Sequence, residues 1–329
     1  MRSVAVPIDF DSHSLAEFIE ARLLLGEDDF LSIAEIRGEF PSGSKPNDLE
    51  LEDALAEVER RSADFGALYP FRSEHRGVRL DRRDSSSLYA CLLLLSLRGT
   101  PLRASGDYRT SDEVFDEIVR VAFRNHLGSG ARALTFGTPP RGGRPGRFSL
   151  AVAWVADALG LEMRTTAIND DYQDAGVDVI AWRAYPDGRN AFPIILVQNT
   201  VEFEYRNKPR DVRPSQWRDW ITVGAQPHIG FAIPFAMPYS DPRWDHINLD
   251  VDVIMDRGRL MHELSSEVPT GWELWPQIKA FVDHESQDQP EAEDVRIVRR
   301  RKPMRSALRD AVTRQPAERA TGQGLDEDS

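Results

Sequence analysis

Among 329 residues there is a single cysteine, Cys91. One thiol cannot build a disulfide framework, and a zinc site made of thiolates is excluded with it. A reducing, cytoplasmic setting is expected from that usage. Cys91 falls within the apolar run 88–97 and reads as a small buried hydrophobe rather than a nucleophile. That run is the longest uncharged apolar stretch and is far too short to span a membrane; residues 1–10 hold nothing of signal-peptide length. No membrane association is expected. Positive charge is also in deficit, with 41 Lys and Arg against 54 acidic residues and a net charge of -13. This balance opposes broad attraction to nucleic acid, so any DNA contact must come from a local basic patch. Two patches qualify: the loop arginines Arg141, Arg144 and Arg147, and the run Arg299, Arg300, Arg301 and Lys302. The phosphate-cradling Gly-x-x-x-x-Gly-Lys pattern and the nucleophile-elbow serine are both missing, and the seven histidines show no pair at metal-ligand spacing.

Helical periodicity is plain in the first third. Ser14 with Glu17 predicts a capping box ahead of Leu15, Phe18, Ile19 and Leu23, and residues 47–65 carry Leu51, Leu55 and Val58 on one face. Residues 85–97 are apolar nearly all round, as in a helix buried mid-fold. Residues 1–109 are therefore expected to form a helical region that binds a protein partner. Thr110 and Glu113 predict a second capping box, followed by the stripe Val114, Phe115, Ile118, Val119, Ala122 and Phe123, with Asp116 and Glu117 carried on the same helix. The Gly and Pro content of 138–147 forbids regular structure, and 148–159 reads as a helix stopped by Gly160. Strand-like segments follow at 162–167, 177–182 and 192–199, then a helix at 214–223 with Trp217 and Trp220, a strand at 229–235 and an apolar segment at 251–255. Trp217 and Trp220, three apart on a helix, suit a core better than a base-stacking platform. From residue 285 onward the chain is polar and is expected to be a disordered tail.

One residue is out of place for packing alone. In Gly176-Val-Asp-Val-Ile-Ala-Trp182 an Asp interrupts an otherwise buried strand, where an unpaired carboxylate costs several kcal/mol and therefore needs a partner or a cation. The next strand, Ile194-Ile-Leu-Val-Gln-Asn199, ends in a polar pair, and Pro186-Asp-Gly188 supplies a turn that would set the two strands side by side. An ordinary α/β domain in which Asp178 caps a neighbouring helix is the plainer alternative.

This arrangement resembles the PD-(D/E)XK nuclease superfamily over roughly residues 110–240. The resemblance implies a restriction-endonuclease-like mixed sheet flanked by helices across 110–284, with Asp178 and Gln198 as ligands of Mg²⁺ or Mn²⁺ and Asp116 or Glu117 as a further acid from the preceding helix. It also implies metal-assisted cleavage of DNA phosphodiester bonds in restriction or antiphage defence. The motif lysine is absent: Gln198-Asn199-Thr200 puts threonine in its place, and Lys208 is the nearest substitute. Either Lys208 supplies the charge or hydrolysis has been lost, leaving a silent interaction subunit. The narrower resemblance is to bacterial defence-associated nuclease-like proteins, with Asp256-Arg-Gly-Arg-Leu260 as a matching later segment.

Overall fold

A computed structural model describes residues 11–81, 87–98, 108–239, 241–265 and 275–287. The Arg299–Lys302 patch and the polar tail beyond residue 287 lie outside the described residues. The chain opens on α1 (Ser12–Leu25), whose N-cap is Asp11: its carboxylate accepts the Ser14 amide at 2.8 Å. The predicted Ser14 capping box is thus displaced by three residues, because Glu17 is drawn into the interior instead of turning back to the helix start. After β1 (Phe30–Ser32) and α2 (Ile33–Gly38) comes α3 (Asp48–Phe65), capped reciprocally by Asn47 and Glu50.

The N-terminal region is not purely helical. β2 (Phe71–Glu74) and β3 (Gly77–Leu80) join β1 in an antiparallel sheet of order β1-β3-β2. Strands of three or four residues, two of them bearing an arginine, leave too little alternation to be seen in sequence. Next come α4 (Ser87–Arg98), apolar in its interior except for the buried Ser96, and α5 (Tyr108–His126), which begins two residues before the expected Thr110 cap.

The second half is built on a five-stranded mixed sheet, with β4 (Arg132–Thr135), β5 (Val179–Trp182), β6 (Ile194–Asn199), β7 (His228–Ala232) and β8 (Val253–Met255) in spatial order. β4, β5 and β6 run antiparallel, while β6, β7 and β8 are parallel. β4 escaped the sequence reading. The segment 162–167, expected as a strand, contributes only a bridge between Met163 and Ile221. α6 (Phe148–Leu159) ends at Gly160 in the left-handed region, as its position predicted. α7 (Pro214–Trp220) crosses from β6 to β7, α8 (Pro242–Asn248) from β7 to β8, and α9 (Arg257–Leu264) and α10 (Trp275–Gln287) follow.

Strand alternation sorts the core. Val179, Ala181, Ile195 and Val197 face the layer containing α5; Ile180, Trp182, Ile194 and Leu196 pack with Phe148, Val152, Trp217 and Trp220 on the other side. Both tryptophans are buried there, so they are core residues. The fold is α/β, a mixed sheet flanked by helices, as expected. Among the described residues no helix is long and apolar enough to cross a membrane.

The N-terminal elements share one apolar cluster with α5 and with the β5 and β6 face turned toward it, so the expected boundary near residue 109 divides a single core. A charged network runs through that core. Arg257, at the start of α9, donates from Nη1 and Nη2 to the two oxygens of Glu17 at 2.9 and 2.8 Å and from Nε to the Pro234 carbonyl at 2.9 Å. Arg61 bridges Glu17 and Glu20, both at 2.8 Å, while Tyr69 and Tyr89 donate to Glu20 at 2.5 and 2.7 Å. Asp256 caps α9 through the Arg259 amide, and a side chain on Gly258 would strike the Phe65 ring at 2.4 Å. The Asp256-Arg-Gly-Arg-Leu260 segment is therefore the piece that locks α9 to α1 and α3. Arg257→Ala leaves Glu17 buried with half of its cation gone and is expected to cost about 3–5 kcal/mol in chemical denaturation. A loss under about 1 kcal/mol would show that the network contributes little.

Candidate active site

β4 ends, β5 begins and β6 ends at one edge of the sheet, and that edge gathers the acidic residues. Val179 pairs with Val197, so Asp178 and Gln198 lie just beyond this pair on adjacent antiparallel strands. The Pro-Asp-Gly turn between them closes with Gly188 N–H donating to Tyr185 C=O at 3.3 Å. The Asp178 carbonyl accepts from Phe136 and Gly137 N–H groups at 2.6 and 3.1 Å, which draws the end of β4 over the carboxylate. Gly137 lies close against both carboxylates: a Cβ there would lie 3.0 Å from Asp178 Oδ1 and 3.7 Å from Asp116 Oδ2, so a side chain would press on Asp178.

Asn199 organises the pair. Its backbone N–H donates to Asp178 Oδ2 at 2.8 Å and its side-chain amide to Asp116 Oδ1 at 3.0 Å. One oxygen of each carboxylate is thereby tied to Asn199, and the other, Oδ1 of Asp178 and Oδ2 of Asp116, is turned to Gly137. Asp116 is nearly buried on α5, and burial raises it to about 6 against the opposing pull of Asn199 and Arg141. Burial and the adjacent Asp116 charge push Asp178 well above the usual carboxylate range, and the Asn199 N–H and the Lys208 charge oppose this only in part. Two carboxylates held together in this way favour a cation or a shared proton between them.

The other sequence candidates fall in different places. Gln198 is 8% exposed and its Oε1 is buried without a hydrogen-bond partner. Alternation turns it to the face of Leu196, opposite Asn199, which explains why Asn199 and not Gln198 reaches Asp116. Glu117 is off the site: one position along α5 from Asp116, it pairs with Arg120 at 2.8 Å on the helix surface. Lys208, in a 3-10 turn, pairs with Glu202 at 3.3 Å. Thr200 Oγ1 accepts the Glu202 amide at 3.1 Å and is spent on that turn.

The three loop arginines do not form a common patch. Arg141 donates to Asp116 Oδ2 at 2.9 Å and approaches Glu113 at 3.4 Å. Arg144, expected to reach phosphates, is 6% exposed, stacked 4.4 Å over the Phe136 ring and bonded to the Gln173 carbonyl. Only Arg147 stays largely exposed, with Asp170 as its partner at 2.6 Å. Asn199 and Gly137 were not singled out by sequence. Asn199 stood in the polar pair closing β6, but its partner lies 83 residues away, and Gly137 gave no signal beyond ending an apolar segment.

No protein-family model matches the chain and no curated protein does. A solved structure of the MspJI restriction endonuclease in complex with a 27-mer oligonucleotide is similar over 63% of this chain and 37% of that one, at 11% identity and a TM-score of 0.32. The present chain thus spans well under half of that protein, and a likeness of this size carries no argument about function.

The raised Asp116 sets a pH dependence. The folded protein binds this proton more readily than the unfolded chain, so the stabilisation is full below the ordinary value of 3.8 and is lost as pH rises through about 6. The melting temperature of the wild type relative to Asp116→Asn is expected to fall between about pH 4 and about pH 7 in chelator-treated protein. A difference that stays flat over that interval would contradict the raised value.

Proposed function

We propose that the chain is a DNA endonuclease that hydrolyses phosphodiester bonds with Mg²⁺ or Mn²⁺, serving restriction or antiphage defence. The observation that carries this reading is the convergence of Asp116 Oδ2 and Asp178 Oδ1 on Gly137 while Asn199 holds their other oxygens. Among the described residues no three His, Cys, Asp or Glu side chains form a metal-holding group, so the protein donors are the two carboxylates, with water to complete the shell; Gln198, expected as a ligand, is turned to the other face of β6. Two carboxylates and water oxygens make an all-oxygen set suited to hard divalent cations. The chemistry such an ion supplies when bound is acidification of a water and neutralisation of charge building on the scissile phosphate.

Asn199 then acts as the positioning residue, fixing both carboxylates before substrate arrives. Lys208, whose charge acts on Asp178, stands in for the lysine missing at Thr200. Arg147 is the loop arginine placed to meet a phosphate, since exposure leaves its guanidinium fork accessible. A protein partner for residues 1–109 would meet the outward side of α3, where Leu49 is 65% exposed.

A second reading keeps the fold without cleavage, as an interaction subunit. Two observations favour it: Arg141 already neutralises Asp116, and Lys208 is engaged by Glu202. A plasmid-nicking assay separates the two. The enzyme reading expects Mg²⁺- or Mn²⁺-dependent nicking that Asp178→Ala abolishes and Lys208→Ala slows on the order of 10²- to 10³-fold, as loss of one preorganised charge does. Nicking that persists in Asp178→Ala would refute the site, and none in the wild type with either ion would select the silent subunit.

A further inference from the structure

The position of Arg141 has a consequence for how a cation would enter. Of the four oxygens on Asp116 and Asp178, two belong to Asn199, and of the two left facing Gly137 one is already taken by Arg141 Nη1 at 2.9 Å. The guanidinium therefore stands on the oxygen that a divalent ion shared by the two carboxylates would need. We propose that Arg141 is an exchangeable counter-ion: it holds Asp116 in the metal-free protein, yields to a divalent cation, and is released on its loop toward the phosphate of a bound nucleic acid. This rests on the cation-site reading above and adds a gate to it.

The local geometry suits exchange better than a permanent salt bridge. Arg141 is only partly satisfied: its Nε is buried with no hydrogen bond and meets Glu113 at 3.4 Å. By contrast Arg257, a structural arginine of the same chain, places Nε, Nη1 and Nη2 on acceptors between 2.7 and 3.1 Å. The backbone beside Arg141 is uncrowded. Gly142 and Gly143 follow it with φ of 60° and 85°, a Cβ on Gly143 would touch nothing, and one on Gly142 would meet only Thr135 Oγ1 at 3.5 Å. Arg144, packed on Phe136, anchors the far side of the turn and its N–H holds the Arg141 carbonyl at 2.9 Å, so release asks for movement of the Arg141 side chain alone. The exchange also improves the charge balance, since a dication replaces a monocation between two carboxylates and the freed guanidinium regains water.

Mn²⁺ binding to the metal-free full-length chain, measured calorimetrically for wild type and Arg141→Gln, tests this. Removing a competitor is expected to tighten Mn²⁺ binding on the order of tenfold in the variant. Equal or weaker binding in Arg141→Gln would overturn the exchange and leave the carboxylates as a cation site; no binding by either protein would overturn both. Binding by the variant alone would support the exchange in its strongest form, with Arg141 as a blocking ion. A Mg²⁺ titration of the wild type followed at the Arg141 Nε–Hε resonance keeps the test open if the variant fails to fold. Release predicts a saturable shift with faster proton exchange, and an unmoved resonance while Mg²⁺ binds would refute it.

Discussion

Two carboxylates are forced together at the sheet edge, and most of the local architecture follows from accommodating them. Asp178 cannot withdraw, because its own N–H and C=O are bonded to β6 and to the end of β4. Asp116 cannot withdraw either, since α5 is fixed by an apolar stripe against the sheet. What keeps the pair tolerable is a set of compensations: an amide from Asn199 on each, a guanidinium on one, and a glycine where a side chain would press on Asp178. Such an arrangement is costly for stability alone, as two hydrophobic residues would pack there at no electrostatic penalty. Perturbed carboxyls of this kind occur at functional sites and in structural ion-pair networks alike.

The same chain holds a second set of buried charges with the opposite character. Glu17, Glu20, Arg61 and Arg257 satisfy one another almost completely, and two tyrosines and Ser96 take up remaining positions. That network is closed and ties elements 240 residues apart in sequence. The carboxylate pair at the sheet edge instead keeps two like charges side by side, with one guanidinium between them and solvent and both carboxyls raised. The closed network, with its opposite charges matched, specifies the fold; the like-charge pair is where the proposed cation site lies.

Sequence made the long, periodic elements legible, and the hairpin carrying Asp178 and Gln198 followed from a Pro-Asp-Gly turn between two apolar runs. Asp178 itself stood out because a lone carboxylate in a buried strand demands explanation. What stayed hidden depends on tertiary partners. The short strands near residues 30–80 and β4 lack enough residues for a period to show. Glu17 looked like a cap residue because its cation, Arg257, is supplied from the far end of the fold. Arg141 and Arg144 looked alike on a Gly-Pro loop, yet one reaches a carboxylate and the other an aromatic face, a difference set by packing around Phe136. The choice of Asp116 over Glu117 follows from helix phase: Asp116 turns to Asn199 while Glu117 pairs with Arg120 on the helix surface.

A cation site formed by Asp116 and Asp178 is tested most directly by anomalous diffraction from Mn²⁺-soaked crystals. The predicted result is an anomalous peak between Asp116 Oδ2 and Asp178 Oδ1, with the Arg141 guanidinium displaced from Asp116. A structure with saturating Mn²⁺ in which Arg141 still bonds Asp116 and no peak lies between the carboxylates would contradict it.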